Sequence, residues 1–476
     1  MTTVPARPPL RPNALVALLA CAGIVVAMTQ TLVIPLIASL PEIFDAHPSD
    51  TSWVITVTLL VGAVVTPVAG RLADMLGKKR IMLFSLIPLV AGSVICALAV
   101  NLPVMVIGRG LQGLATGFIP VGISLLHDLL PKERTAGAIA LMSSSLGIGG
   151  AVGLPFAAAV AQFASWRILF WVMAAGSAVI LVLVWTLIRL PHHATTRRAR
   201  FDFFGAVVLS AGLVALLLAV SKGAEWGWGS PTTLILFAAA LVVLLAWGWW
   251  ELRTSEPLVD LRTTARPVVL LTDIASVLVG FSMYAQSLIL PQLMQLPVGA
   301  GFGHGQTMLQ MGLWMAPASL AMTLMSPVGA RITGRFGPKI TLAAGAVVMA
   351  IGYGLSALAM STLVGLMATA FITSAGVGLA YGAMPALILG AVPATEKAAA
   401  NGLNTLMRSI GTSIASALIG VVLANFTMTF HGSTVASTGG FQISLFIGCF
   451  AALAAAGVSL SIPAHRAAKK ELQMVA

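Results

Sequence analysis

Runs of about 20 predominantly apolar residues recur along the whole of this 476-residue chain. An α-helix needs a run of about that length to cross a bilayer, and a chain in lipid must satisfy its backbone hydrogen bonds internally. Hydrophobic residues make up 58% of the sequence and charged residues only 8%, whereas a soluble domain has about 25% charged residues. The chain is therefore predicted to be an all-α polytopic membrane protein.

Hydropathy places fourteen candidate helices between residues 13 and 463. An even number of spans puts both termini on one side of the membrane. Of the 26 Lys and Arg residues, all but Arg167, Lys222, Arg109 and Arg408 lie at that side, the last two being inside spans. Because basic loops stay in the cytoplasm, both termini are predicted to be cytoplasmic and the protein to be a multi-pass component of the plasma membrane.

The sequence also repeats itself 260 residues apart. TPVAGRLADMLGKK at 66–79 matches SPVGARITGRFGPK at 326–339. Parallel repeats of this kind build transporters whose substrate path lies between two halves. The expected segments are a cytoplasmic tail (1–12), a six-helix half (13–189), a cytoplasmic linker (190–202), two inserted helices (203–252), a second linker (253–266), a second six-helix half (267–463) and a cytoplasmic tail (464–476).

Several other classes of protein lack support in the sequence. The cysteines Cys21, Cys96 and Cys449 lie inside apolar runs and the histidines are scattered, so neither disulfides nor a metal site is expected. The net charge of +12 is spread over short loops and forms no basic face, so nucleic acid is not expected as a partner. No nucleophile–base pair or cofactor motif supports the alternative of a polytopic enzyme or receptor.

The segment 70–80, GRLADMLGKKR, packs five charged residues into eleven positions. Its glycines permit close helix approach and a tight turn, and its one acid suits a helix N-terminus, where a carboxylate gains about 0.3–1 kcal/mol. The segment is either a turn that only orients two helices or a latch that holds the cytoplasmic side shut. The residues predicted at this gate are Gly70, Arg71, Asp74, Gly77, Lys78 and Lys79.

Three ionisable side chains lie well inside predicted spans, where a charge costs at least about 2.5 kcal/mol unless it is paired or solvated. Arg109 lies about 9 Å inside the outer boundary at 1.5 Å per residue, and Arg408 lies near the midplane. Asp273 is the only acid well inside a span, so we predict it to be the protonatable coupling group with Arg408 as its partner. The alternatives are an Arg109 that extends to the membrane interface and an Asp273–Arg408 pair that never titrates.

Polar residues near these groups predict the lining of a water-filled cavity. Gln112 follows Arg109 by one turn, and Ser276, Gly280 and Tyr284 share one helix face with Asp273. The residues predicted to line the substrate cavity are Thr29, Gln30, Gln112, Tyr284 and Gln286.

GRLADMLGKKR resembles motif A of the major facilitator superfamily, and LPVMVIGRGLQGLATG at 102–117 resembles its motif B. Fourteen spans with an insert between the halves resemble the drug:proton antiporters that export multiple drugs and quaternary ammonium compounds. The resemblance covers residues 13–463 and implies that the helix capped by Asp74 belongs to the other half. Because the second copy carries Gly334 in place of the acid, Asp74 alone is expected to close the cytoplasmic side.

Two positions depart from the family pattern. Thr29 stands where the family usually has an Asp in the first helix, and Leu154 interrupts the usual Gly-Pro of motif C in GIGGAVGLPFAAA at 147–159. Small residues there still allow helices to pack closely, and a proline still bends the helix. The residues predicted for this packing are Gly149, Gly150, Gly153 and Pro155.

The resemblance predicts a monomeric secondary-active exporter that moves amphipathic drugs or toxic organic compounds outward by alternating access. It needs no cofactor, and a proton gradient would drive it. The alternative is an exporter or importer of one metabolite, of narrower range and without proton coupling. The loss of the first-helix Asp and of motif C favours that alternative.

Overall fold

The computed structural model describes residues 11–36, 39–188, 201–430 and 433–463. Most of the two predicted tails and of the linker at 190–202 lie outside these ranges. Within the described residues, fourteen helices are long and apolar enough to cross a membrane, which confirms the predicted all-α polytopic architecture.

The membrane helices are numbered here in chain order. They are α1 (Pro12–Thr31), α2 (Trp53–Leu76), α3 (Lys78–Ala97), α4 (Leu102–Leu129), α5 (Lys132–Phe163), α6 (Arg167–Leu187), α7 (Phe203–Trp226), α8 (Pro231–Glu251), α9 (Pro267–Gln295), α10 (Met308–Phe336), α11 (Pro338–Ala359), α12 (Leu363–Ala391), α13 (Lys397–Asn425) and α14 (Thr438–Ser461).

Short elements connect them. The helices Leu40–Phe44 and Pro48–Thr51 lie between α1 and α2, and Leu261–Thr264 precedes α9. One antiparallel hairpin joins α13 to α14, with strand β1 (Thr427–Phe430) paired to β2 (Ser433–Ala436). Its register places Thr427 opposite Ala436. The sequence patterns did not predict this hairpin.

The helices pack as two bundles with an inserted pair beside them. In the first bundle α1 packs on α5 and α3 packs on α4 and α6; in the second, α9 packs on α13 and α14, and α12 packs on α10 and α11. The bundles meet where α5 lies against α10 and where α2 lies against α13. The inserted helix α7 packs on α8 and also contacts both α2 and α13, so it covers one of these seams from outside.

The two copies of the repeated loop adopt the same turn. Gly77 joins α2 to α3 with a φ of 99°, and Gly337 joins α10 to α11 with a φ of 86°. Glycine enters this region of φ without the steric penalty that a side chain brings. The tight turn predicted for the first copy is therefore present in both halves.

Close contact between α9 and α13 depends on small residues. A Cβ atom at Gly280 would overlap the main chain of Arg408, so the backbones of the two helices touch there. Membrane helices associate through such packing because lipid supplies no hydrophobic drive between them. This contact positions the buried polar residues of the second bundle.

Gly280→Leu is expected to destabilise the protein, because overpacking a close contact costs about 1–3 kcal/mol. Thermal unfolding of the purified protein, followed by tryptophan fluorescence, should show a Tm lowered by at least roughly 2 °C. Gly457→Leu on α14 is the matched control, because nothing lies within 4 Å of the Cβ atom it would add. Equal Tm values for the two variants would contradict the proposed role of this contact.

Candidate functional site

At the cytoplasmic end, Asp74 links the two bundles. This residue lies near the end of α2, and its Oδ1 and Oδ2 accept hydrogen bonds from the backbone N–H groups of Ala398 (3.2 Å) and Ala399 (2.9 Å). These N–H groups belong to the first turn of α13, which lacks a hydrogen bond from its own N-cap side chain. The carboxylate therefore satisfies two donors that a helix start leaves unpaired, and it lies where the helix dipole favours negative charge.

Gly70, one turn before Asp74, lets α2 and α13 approach at this point. A Cβ atom there would overlap the carbonyl group of Ala398. The position that corresponds to Asp74 in the second bundle is Gly334, and nothing lies within 4 Å of a Cβ atom added there. The second copy of the loop therefore lacks both the acid and the close backbone contact that the first copy makes with α13.

A second set of contacts crosses the same seam. Lys78 binds the carboxylate of Asp128 at the end of α4 and donates to the carbonyl oxygen of Ser124 at 3.3 Å. Asp128 Oδ1 also accepts a hydrogen bond from Lys397 of the other bundle at 3.1 Å, and Lys397 lies 3.1 Å from His127 Nδ1. Asp74 is therefore not alone in linking the two bundles at this end, because Asp128 bridges one cation from each half.

Lys79, which was predicted at the gate, points elsewhere. Its Nζ donates to the carbonyl oxygen of Trp185 on α6 at 2.8 Å, which keeps it within the first bundle. Adjacent residues on a helix face different directions, and Lys78 takes the direction of the seam, so a role of Lys79 at the gate stays a prediction.

Arg71 lines a cavity of about 390 Å³ beside the Asp74 contact. The opposite walls include Glu256 and Asp260 from the segment that follows α8, and Glu396 from the turn before α13. The inserted pair thus sends a polar segment to the cytoplasmic mouth of the seam.

Arg109 is buried in the first bundle, with 1% of its surface exposed. Its Nε donates to the carbonyl oxygen of Val54 at 3.0 Å, and its Nη1 donates to the carbonyl oxygen of Thr29 at 2.9 Å and to Gln112 Oε1 at 2.7 Å. Gln112 in turn donates to Ser93 Oγ at 2.9 Å. The guanidinium therefore ties α4 to α1 and α2, and through Gln112 to α3.

This arrangement corrects several predictions. Arg109 does not extend to the interface, and Gln112, also 1% exposed, lies on no open polar face. Thr29 is equally buried, and its hydroxyl donates to the carbonyl oxygen of Val26 at 2.6 Å. These polar groups satisfy one another inside the bundle and do not line a cavity, whereas Gln30 next to them is half-buried.

Asp273 lies on α9 and is buried in the second bundle, with 4% of its surface exposed. Its Oδ1 accepts a hydrogen bond from Asn404 Nδ2 at 2.8 Å, and the same Nδ2 lies 2.7 Å from Ser276 Oγ. Asn404 Oδ1 accepts from Arg408 Nη1 at 3.0 Å. Asp273 and Arg408 are thus linked through one amide, and the direct partnership predicted for them is not formed.

The two ends of this network differ in how fully they are satisfied. Arg408 also donates to Thr405 Oγ1 at 3.0 Å, and its guanidinium carbon lies 4.8 Å from the centre of the Tyr381 ring. The second carboxylate oxygen of Asp273, Oδ2, is buried without a hydrogen-bond partner in the described part of the chain. Asn404 was missed from the sequence, although its i−4 spacing from Arg408 puts both on one helix face.

The two remaining cavity predictions lie further along α9. Gln286 is buried and donates to the carbonyl oxygen of Ala370 at 3.1 Å and to Ser374 Oγ at 3.3 Å. It connects α9 to α12 and does not line an open cavity, which corrects its prediction. Tyr284 is half-buried and packs against the apolar core of the second bundle.

The small residues of motif C lie between α5 and two neighbours. Cβ atoms at Gly149 and Gly153 would press on α1, against Ala27 and Thr31 respectively. Gly150 lies beside Ser319, and Pro155 lies beside Gly312, both on α10 of the other bundle. One face of α5 therefore packs within its own bundle and another packs across the interface.

Similar proteins are known for most of the chain. Multidrug resistance protein Stp of Mycobacterium tuberculosis is 30% identical over 400 residues, 81% of this chain and 72% of that protein. Multidrug transporter protein MdtP of Bacillus subtilis is 26% identical over 381 residues, 79% of this chain and 69% of that protein. An uncharacterized MFS-type transporter of Mycobacterium tuberculosis is 28% identical over 436 residues, and the match covers 90% of this chain but only 62% of the relative.

A solved structure has the same fold. The human organic anion transporter MFSD10 (TETRAN) aligns with a TM-score of 0.68 at 14% sequence identity, over 95% of this chain and 100% of that one. The family description Major Facilitator Superfamily matches residues 19–250 and 272–474. With both bundles matched, the chain belongs to the Major Facilitator Superfamily of membrane transporters.

Proposed function

We propose that this transporter exports amphipathic organic compounds in exchange for protons, by alternating access between two states. Two observations together carry the proposal. Contacts of Asp74 with α13 and of Asp128 with Lys397, here called the latch, join the bundles at the cytoplasmic end. The buried carboxylate of Asp273 in the second bundle has one oxygen without a hydrogen-bond partner among the described residues. The latch defines two states of the molecule, and the carboxylate offers a proton site that can bias them.

The latch contacts are suited to opening and closing as a unit. To open the cytoplasmic side, the protein must break both hydrogen bonds that Asp74 accepts from Ala398 and Ala399 and the Asp128–Lys397 pair. All three contacts lie at one end of the seam between α2 and α13. Contacts that are made in only one of two packed arrangements give a bistable interface, and any ligand that favours one arrangement shifts the population.

Asp273 is the proposed coupling group. Among the described residues it is the only acid that lies within a membrane helix away from its ends. A proton on Oδ2 would remove the negative charge from the network, whereas Arg408 keeps its positive charge. Because Asn404 hydrogen-bonds both residues, this change in charge is transmitted from α9 to α13, the helix that Asp74 caps.

The substrate class rests on the relatives. Two of them, 30% and 26% identical, are named multidrug resistance or multidrug transporter proteins. Amphipathic organic molecules are accordingly the proposed substrates, carried across the plasma membrane by a monomer.

One observation favours a second candidate, a transporter of a single metabolite that is not coupled to protons. Thr29 occupies the first-helix position where the family usually has an Asp, and its hydroxyl is bonded to the carbonyl oxygen of Val26. A hydroxyl in that role exchanges no proton at physiological pH. Under this reading Asp273 and Arg408 form a purely structural network.

The role of the latch is tested by Asp74→Asn. The amide keeps one acceptor oxygen but loses the charge and one of the two N–H bonds, so the open state should gain about tenfold in population. Spin labels at Leu76 and Phe336, twin exposed positions at the cytoplasmic ends of α2 and α10, would report the change as a larger long-distance fraction. Gly334→Asp is the matched control and should leave the distances unchanged. If the spin-label distances in Asp74→Asn equal those of the unaltered protein, the segment 70–80 is only a turn that orients two helices.

Proton coupling is tested by Asp273→Asn in proteoliposomes with a fluorescent amphipathic substrate. Downhill transport should persist, whereas accumulation driven by an imposed pH gradient should be lost, because the amide keeps the contact with Asn404 but cannot exchange a proton. Asp45→Asn in the outer loop is the control and should behave like the unaltered protein. Equal gradient dependence in both variants would remove Asp273 from coupling, and indifference of the unaltered protein to the gradient would favour the second candidate.

A further inference from the structure

A groove lies between α3 and α6 on the outer surface of the first bundle, near its cytoplasmic end. Its volume is about 500 Å³. Phe84 and Ile87 on α3 are 64% and 50% exposed, and Val182 and Trp185 on α6 are 54% and 65% exposed. Because both helices cross the membrane, these apolar side chains face lipid, and the groove opens toward the acyl chains of the inner leaflet.

The cytoplasmic end of the groove is basic. Arg80 lines it and is exposed, and the Lys79 ammonium lies at the rim, where it holds the carbonyl oxygen of Trp185. Arg80 is in the first turn of α3, a 20-residue helix that has no side-chain cap. The N-terminus of a helix attracts phosphate groups through its free N–H groups and its dipole. Two cations and a helix start therefore meet where the apolar groove ends.

This arrangement fits an amphiphile with a phosphate at one end. The seven residue steps from Arg80 to Ile87 rise about 10 Å, enough to hold the upper part of one acyl chain. Trp185 lies near the end of α6, at the depth where tryptophan is enriched at membrane interfaces. A free anion would pair with Arg80 but leave the groove unfilled, and a chain without charge would fill the groove but leave Arg80 without an anion.

We propose that this groove binds an anionic phospholipid of the cytoplasmic leaflet. Its phosphate would contact Arg80 and the start of α3, and one acyl chain would lie on Phe84, Ile87 and Val182. The net negative charge of the headgroup matters, because each cation near the surface favours anionic lipid.

The second bundle provides an internal comparison. The residue 260 positions after Arg80 is Ile340, which lies in the first turn of α11 and is 42% exposed. The helix α11 packs on α14 as α3 packs on α6. The twin position therefore lacks the cation, and selective binding of anionic lipid is expected only on the first bundle.

Native mass spectrometry of the detergent-purified full chain, titrated with phosphatidylglycerol or phosphatidylcholine, tests the proposal. The unaltered protein should bind one phosphatidylglycerol more tightly than phosphatidylcholine. Arg80→Gln should weaken phosphatidylglycerol binding about fivefold, the loss expected for one cation near anionic lipid, and should weaken phosphatidylcholine binding less, because that headgroup carries the phosphate but no net charge. Phe84→Ala should weaken the binding of both lipids.

Ile340→Arg is the matched variant that gains a charge. It should bind a second phosphatidylglycerol molecule in preference to phosphatidylcholine. Equal affinity for phosphatidylglycerol in the unaltered protein and in Arg80→Gln would overturn the proposal. Displacement of the bound lipid by millimolar inorganic phosphate would assign the cations to a free anion and would overturn it as well. Neither outcome bears on export or proton coupling, so the lipid site and the proposed function are tested independently.

Discussion

The contact between the two bundles at the cytoplasmic end depends on a helix start that is capped from another part of the chain. The first N–H groups of α13 need acceptors, and Asp74 of the other bundle supplies two. Asp74 and Ala398 are 324 residues apart in the sequence. The first N–H groups of α13 therefore have these acceptors only when the two bundles pack together. Gly70 sets the distance at which the cap reaches its donors. A local requirement of one helix thereby becomes a constraint on the whole molecule.

The buried charges follow a common rule. Arg109 and Arg408 each direct guanidinium hydrogens to neutral oxygens, and Asn404 lies between Arg408 and the carboxylate of Asp273. Burying a charged group costs free energy unless its hydrogen bonds are made. Carbonyl and amide oxygens accept those bonds, and no oppositely charged partner is needed. Ion pairs are found instead at the membrane edge, around Asp128. Such a distribution leaves the interior free to change its charge at Asp273 without breaking a salt bridge.

The sequence predicted what depends on local pattern. Span length and the internal repeat were enough for the fourteen helices and the turn at Gly77. The partners of buried groups were harder, because Asp128 meets Lys397 from 269 residues away and no periodicity relates them. The lining of a cavity was hardest. A polar residue that faces water and one that bonds its neighbours, as Gln112 and Gln286 do, look alike in a sequence.

The inserted pair adds a mechanical constraint. Leu209 and Leu213 of α7 share an apolar cluster with Leu60 of α2 and Leu403 of α13, so one helix bridges the seam that the latch closes. If α2 and α13 separate as proposed, contacts with α7 must slide along one of them. Leucine surfaces suit this, because dispersion contacts are individually weak and non-directional. Directional bonds join the ends of the inserted pair, where Trp250 Nε1 donates to Asp202 Oδ2 at 2.9 Å, and join α7 to the start of α2, where Lys222 Nζ donates to Ser52 Oγ at 2.5 Å. We therefore expect the pair to stay with α2 and its contacts with α13 to slide.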